Sequence, residues 1–122
     1  MQIKKHIFCD CFLKDVKNLS KKCKGRDLKV ESVALAELLV KNPESLKLQV
    51  LLHKEDDFAL YKSRLKGCSG RGKSGGLRLI WGVYDQALIF VRLYSKSEFS
   101  NIPVHELLDN LLNCLEEENQ DE

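Results

Sequence analysis

Two apolar runs in the second half of the chain restrict the folds that it can adopt. Residues 77–84 and 87–94 are rich in leucine, isoleucine, valine and aromatic residues, and only Asp85 and Gln86 separate them. Runs of this length and composition favour β-strands, and a two-residue polar connection favours a tight hairpin. The chain is therefore predicted to contain an antiparallel sheet.

One arginine interrupts the apolar character of this hairpin. With Asp85 and Gln86 as the turn, the two-residue alternation of a strand puts Arg78 on the same side as Ile80, Ile89, Val91 and Leu93. An arginine in an apolar row is either paired with an acidic group or kept for a ligand. Arg78 is therefore the first candidate functional residue.

The first half of the chain predicts one strand followed by two helices. Residues 2–9 have the pattern of a strand, and apolar residues then recur at helical spacing between Phe12 and Cys23. Asp27 stands where an N-cap is expected, ahead of a second periodic segment that Asn42 and Pro43 end.

The second half predicts further strands and a terminal helix. Residues 48–53 and 58–66 have strand patterns, and the alternation in the latter places Lys62, Arg64 and Lys66 on one side. Pro103 opens a helix whose apolar stripe consists of Val104, Leu107, Leu108, Leu111, Leu112 and Leu115.

The order of these elements defines the expected fold class. We predict a single α+β domain over 1–122, with an N-terminal strand, a two-helix hairpin, an antiparallel sheet of three to four strands and a C-terminal helix. An acidic, frayed tail over 116–122 is expected to follow.

Composition narrows the class of protein. The chain has 122 residues, of which 43% are hydrophobic and 31% charged, so a disordered chain is excluded. No apolar run is long enough to span a bilayer, and the start of the chain does not resemble a signal peptide. We therefore expect a cytoplasmic protein with no membrane partner. The five cysteines are odd in number and scattered, which favours reduced thiols over disulfides or a zinc site.

Charge is distributed unevenly along the chain. Residues 62–96 carry eight basic side chains and one acidic side chain, or +7, whereas residues 97–122 carry eight acidic ones and no basic one, or −8. A concentrated cationic segment can neutralise phosphates, so an anionic partner is predicted. The alternative is a solvated sheet face followed by a solubilising tail.

A phosphate-loop string in this segment does not fit its context. Residues 67–74 match the pattern G-x-x-x-x-G-K-[ST], but Gly75, Gly76 and a strand pattern follow where a helix would have to begin. No nucleotide cofactor is therefore expected. The glycines instead allow Arg71 and Lys73 to approach a phosphodiester closely.

Three stretches resemble the RelE and HigB branch of bacterial type II toxin–antitoxin toxins, within the RelE/ParE superfamily. They are residues 12–19 after the first strand, residues 72–80 with the pattern G-K-x-G-G-x-R, and residues 93–98 with Y-x-K-x-E. The resemblance implies the RelE-like microbial ribonuclease fold and a ribosome-dependent mRNA endoribonuclease, or mRNA interferase, that inhibits translation. It also implies a cognate antitoxin as partner, besides the ribosome and mRNA.

In the implied mechanism the RNA 2′-hydroxyl attacks the adjacent phosphate without a metal or other cofactor. This reaction needs a base, cations for the phosphorane charge and a proton for the leaving oxygen. The resemblance implies catalytic roles for Arg78, Lys96, Tyr94 and Lys73. Binding of the RNA backbone is expected from Lys62, Arg64, Lys66, Arg71 and Arg92.

The sequence also departs from the pattern that it resembles. An arginine usually follows the lysine at the position of Lys96, and a tyrosine lies on the final helix, where this chain has Ser97 and approximately Pro103. His53 and His105 fall outside the matched stretches. Two alternatives therefore stay open, namely a ParE-like toxin that binds DNA gyrase and a catalytically degenerate RNA- or antitoxin-binding protein.

Overall fold

The computed structural model describes residues 2–68, 76–96 and 102–120. It confirms the predicted α+β class and the predicted order of elements, and adds a single-turn helix, α3. None of the helices in these ranges has the length and apolar character needed to cross a bilayer. In chain order the elements are β1 (Lys5–Phe8), α1 (Asp10–Ser20), α2 (Leu28–Lys41), α3 (Pro43–Leu46), β2 (Val50–Glu55), β3 (Phe58–Leu65), β4 (Leu77–Tyr84), β5 (Ala87–Ser95) and α4 (Val104–Gln120).

The sheet has five strands in the order β1-β5-β4-β3-β2. Strands β2 to β5 form the predicted antiparallel meander. Strand β1 adds to it by pairing in parallel with β5, from Lys5 opposite Ala87 to Phe8 opposite Phe90. The sheet is therefore mixed rather than antiparallel throughout, and it is one strand larger than predicted.

The β4–β5 hairpin turns at Asp85 and Gln86, as predicted. Both residues have a positive φ, of 47° and 62°, which suits a turn whose twist matches that of the flanking strands. Beyond the turn, Trp81 lies opposite Phe90 but Ile80 lies opposite Arg92, so the intervening residue of β5 forms a β-bulge.

This bulge corrects the predicted environment of Arg78. The expected row with Leu93 is wrong, since Leu93 lies opposite Leu79 and Arg78 lies opposite Tyr94. The one-residue shift exchanges which side chains of β5 lie beside the arginine. Polar side chains of β5 thereby come beside Arg78 in place of apolar ones.

Aromatic side chains anchor the helices and strands to one core. The rings of Phe8 and Phe90 stack with centroids 5.2 Å apart, and Phe12 of α1 lies 5.7 Å from Phe90. In β4, Trp81 is fully buried and stacks on Tyr61 at 5.0 Å. These contacts fix the strands that carry the basic residues.

The indole of Trp81 donates a buried hydrogen bond of 2.9 Å to the hydroxyl of Ser63. In Ser63→Ala the indole N–H loses its acceptor in a buried place, so we expect unfolding to become easier by about 1–2 kcal/mol. Urea denaturation followed by tryptophan fluorescence measures this loss. The exposed Ser45→Ala should change stability by less than about 0.5 kcal/mol, and an equal effect of both substitutions would contradict the prediction.

Four cysteines form two disulfides, Cys9 with Cys114 and Cys23 with Cys68, whereas Cys11 is free. The expectation of reduced thiols is therefore corrected. The Cα atoms of the pairs are 5.2 and 5.0 Å apart, within the range that a disulfide needs. Sequence spacing gave no sign of this pairing, because the partners are 105 and 45 residues apart and only the fold brings them together.

Candidate functional site

One face of the sheet gathers the basic residues of β3, β4 and β5. Arg64 lies opposite Arg78, and Arg78 lies opposite Tyr94. In the neighbouring row, Ile80 of β4 lies between Lys62 of β3 and Arg92 of β5. Directly opposite residues of antiparallel strands project to the same face, with Cβ atoms about 4.5–5.5 Å apart. The row of Arg64, Arg78 and Tyr94, here called the arginine row, thus joins residues predicted separately from two strand patterns.

The two arginines of this row lie side by side without an acidic partner in the described parts of the chain. Arg64 is exposed and Arg78 is half-buried. The hydrogen bond recorded for Arg78 goes to the carbonyl of its neighbour Leu77 at 3.5 Å, the limit of such a contact. Like charges directly opposite each other in a sheet are destabilising. A bound anion would relieve this repulsion, so the arrangement favours the ligand-binding interpretation of Arg78 over a paired structural arginine.

An apolar wall stands beside the arginine row. A groove of about 220 Å³ is lined by Lys62, Ser63, Arg64 and Arg78 together with Leu48, Gln49 and Val50. The side chains of Leu48 and Val50 are 84% and 51% exposed. Apolar surface next to guanidinium groups suits a nucleotide, since the base can pack against the apolar side chains while the phosphate is paired. Sequence reasoning missed this wall, although its apolar residues begin the strand at the sheet edge.

Tyr94 reaches the row from a buried position, with 3% of its surface exposed. Burial raises the pKa of its phenol, and the positive charges of Arg78 and Arg92 oppose this shift. The phenol therefore keeps its proton at neutral pH. A protonated phenol can donate a proton but cannot accept one, so Tyr94 is not a candidate base.

Removal of one nearby positive charge should raise the pKa of the Tyr94 phenol further. In Arg78→Ala the pKa of Tyr94 is expected to rise above its wild-type value, because Arg78 favours the phenolate. An ultraviolet titration of phenolate absorbance measures the shift, with Tyr61→Phe and Tyr84→Phe added to isolate the signal. Lys54→Ala, an exposed site on β2, is the control and should leave the titration unchanged. A lower pKa in Arg78→Ala would contradict the assigned contact.

Arg92 has an acidic partner, whereas Arg64 and Arg78 have none within the described ranges. Its guanidinium donates to both carboxylate oxygens of Asp15, at 2.8 and 3.4 Å, and the same carboxylate accepts the backbone N–H of Leu93 at 2.9 Å. The hydrogen bond to Asp15 raises the pKa of Arg92 although burial opposes the shift. The residue was predicted to bind RNA, but this position favours a structural role between β5 and α1.

The remaining predicted site residues that the structure describes, Lys66 and Lys96, lie at the ends of β3 and β5. Lys66 is exposed directly after β3, and Lys96 is exposed directly after β5, where its backbone N–H bonds to the carbonyl of Gly76 at 3.1 Å. Lys73, Arg71 and Ser97 lie outside the described residues.

Histidines and metal ligands do not add to the site in the described ranges. His53 is paired with Glu55 at 2.9 Å on β2, and His105 is exposed on α4. No group of three or more residues able to ligate a metal occurs in the part of the chain that the structure describes. Comparisons with protein-family models, with curated proteins and with solved structures give no match to this chain.

Proposed function

We propose that this chain is the toxin of a type II toxin–antitoxin system and that it cleaves mRNA on the ribosome. The observation that carries the proposal is the arginine row, where two guanidinium groups without an acidic partner in the described ranges lie beside a protonated phenol. The adjacent apolar wall adds a place for a base. The row supports the mechanism that the resemblance implies, in a cytoplasmic protein held inactive by a cognate antitoxin.

Each residue of the row has a distinct part in the proposed reaction. The RNA 2′-hydroxyl gives its proton to a solvent water molecule as it attacks the neighbouring phosphorus, the bond to the 5′-oxygen breaks, and a 2′,3′-cyclic phosphate and a free 5′-hydroxyl result. Arg78 stabilises the charge that develops on the phosphorane oxygens, and Arg64 positions the phosphate. Tyr94 donates a proton to the leaving oxygen, with Lys96 as the other candidate donor.

Binding without cleavage is the second candidate function. The arginine row contains neither an imidazole nor a carboxylate that could take the proton of the 2′-hydroxyl. A protein with this site but without a base would occupy RNA and block translation without cutting it. This candidate is the catalytically degenerate RNA-binding protein that Ser97 and Pro103 left open as an alternative.

Mapping of mRNA 5′ ends tests the proposal. The wild-type chain is induced in growing bacteria, and the 5′ ends of an actively translated message are mapped by primer extension beside a copy without a start codon. Cuts confined to the translated copy are the expected result. Growth arrest without cuts would favour binding alone, or a gyrase-directed toxin if DNA gyrase activity is lost, and neither arrest nor cuts would contradict a toxin.

A further inference from the structure

A second basic surface lies next to the arginine row, at the end of β3. A groove of about 260 Å³ separates the connector between α1 and α2 from the residues that follow β3. Its described lining contains no acidic residue and four basic ones, namely Lys22, Lys24, Arg26 and Lys66. We call it the connector groove.

Arg26 holds the two walls of the connector groove together. Its guanidinium donates to both carboxylate oxygens of Glu31, at 3.0 and 2.7 Å, and to the carbonyls of Lys66 and Gly67, at 3.0 and 2.8 Å. The hydrogen bond from Arg26 also lowers the pKa of Glu31. Arg26 is thus paired with Glu31, and Lys24 and Lys66 add positive charge to the groove.

A covalent link fixes the same two walls. The disulfide between Cys23 and Cys68 joins the connector to the segment after β3, and Cys23 is buried with 3% of its surface exposed. Arg26 also contacts the sulfur of Cys68 at 3.3 Å. Neither this disulfide nor these hydrogen bonds of Arg26 involve a lysine side chain. The backbone that carries the groove lysines is therefore held in place on both walls.

The connector groove continues the basic surface of the arginine row. Lys66 lines the groove and lies two residues beyond Arg64, and both side chains are exposed. A polyanion bound along β3 therefore passes from Arg64 to Lys66 and then to Lys24.

We infer that the connector groove binds the phosphate backbone of the substrate RNA outside the reacting dinucleotide. This inference rests on the proposed function, because it assumes an RNA strand at the arginine row. A partly open surface of lysines suits a phosphate backbone, whose charges repeat along the strand and need no directional recognition.

RNA strands of two lengths distinguish binding at the connector groove from binding at the arginine row. Dye-labelled, 2′-O-methylated RNA lacks the attacking hydroxyl, so binding can be followed by fluorescence anisotropy without cleavage. Strands of about 4 and about 16 nucleotides bracket common single-strand site sizes. In Lys24→Gln/Lys66→Gln we expect about tenfold weaker binding of the long strand, a salt slope smaller by about 1.4 for two lost phosphate contacts, and unchanged binding of the short strand.

The matched control removes the same charge elsewhere. Lys14 and Lys17 are exposed on α1 and line neither groove, so Lys14→Gln/Lys17→Gln should bind the long strand as the wild type does, apart from a small general salt effect. Equal losses in both double variants would overturn the inference. Arg64→Gln/Arg78→Gln tests the arginine row independently, because it should weaken binding of the short strand. Unchanged binding of the short strand would contradict the proposed function, and the result for the connector groove could still be interpreted.

Discussion

Arg78→Ala is expected to lower the rate of mRNA cleavage by about 100- to 1000-fold, the usual loss when one donor to a developing oxyanion is removed. The arginine lies opposite Arg64 and Tyr94 and lines the groove beside Arg64. In the proposed function its positive charge stabilises the phosphorane oxygens. Primer extension on a translated message, quantified over time after induction, measures the rate.

Stability should not fall with activity in this variant. Because Arg78 lies opposite Arg64, its removal relieves a repulsion between like charges, so we expect the thermal midpoint to stay or to rise. Arg78→Lys keeps the charge but loses the planar fork, and should retain part of the activity. A loss of activity that follows a loss of folded protein, or full activity of Arg78→Ala, would contradict the assignment.

Local signals in the sequence predicted much of the fold. Asp27 caps α2 as expected, since its carboxylate accepts the N–H of Val30 at 3.1 Å, and the hairpin turns at Asp85 and Gln86. Both features depend on residues that are close in sequence. The disulfides and the parallel pairing of β1 depend on distant segments, and the sequence contained no signal for them.

The site was likewise predictable only where local sequence patterns determine the positions of its residues. The alternation along β3 placed Lys62 and Arg64 on one side, which is confirmed, because a strand period is a local property. The bulge of β5 between Phe90 and Arg92 was not predictable, since the intervening Val91 is an ordinary strand residue. It decides that Tyr94, and not Leu93, lies beside Arg78. The acidic partner of Arg92 was missed for a related reason, because Asp15 lies on another element.

Asp15→Ala is expected to lower the free energy of unfolding by about 2–4 kcal/mol, the range for breaking a largely buried ion pair together with a hydrogen bond to the backbone. Strand β1 ends at Phe8, opposite Phe90, so it does not reach the backbone of Leu93. The carboxylate of Asp15 accepts that N–H and also pairs with Arg92. Removal of the carboxylate leaves the backbone N–H of Leu93 and the charge of Arg92 without partners. Urea denaturation measures the resulting loss of stability.

Two further variants distinguish this role from a general effect on α1. Asp10→Ala removes an exposed carboxylate from the first turn of the same helix, and should cost no more than about 1 kcal/mol. Asp15→Ala/Arg92→Met should be more stable than Asp15→Ala alone, because it removes the uncompensated charge as well. If the double variant were less stable than the single one, the uncompensated charge of Arg92 would not be the cause of the loss.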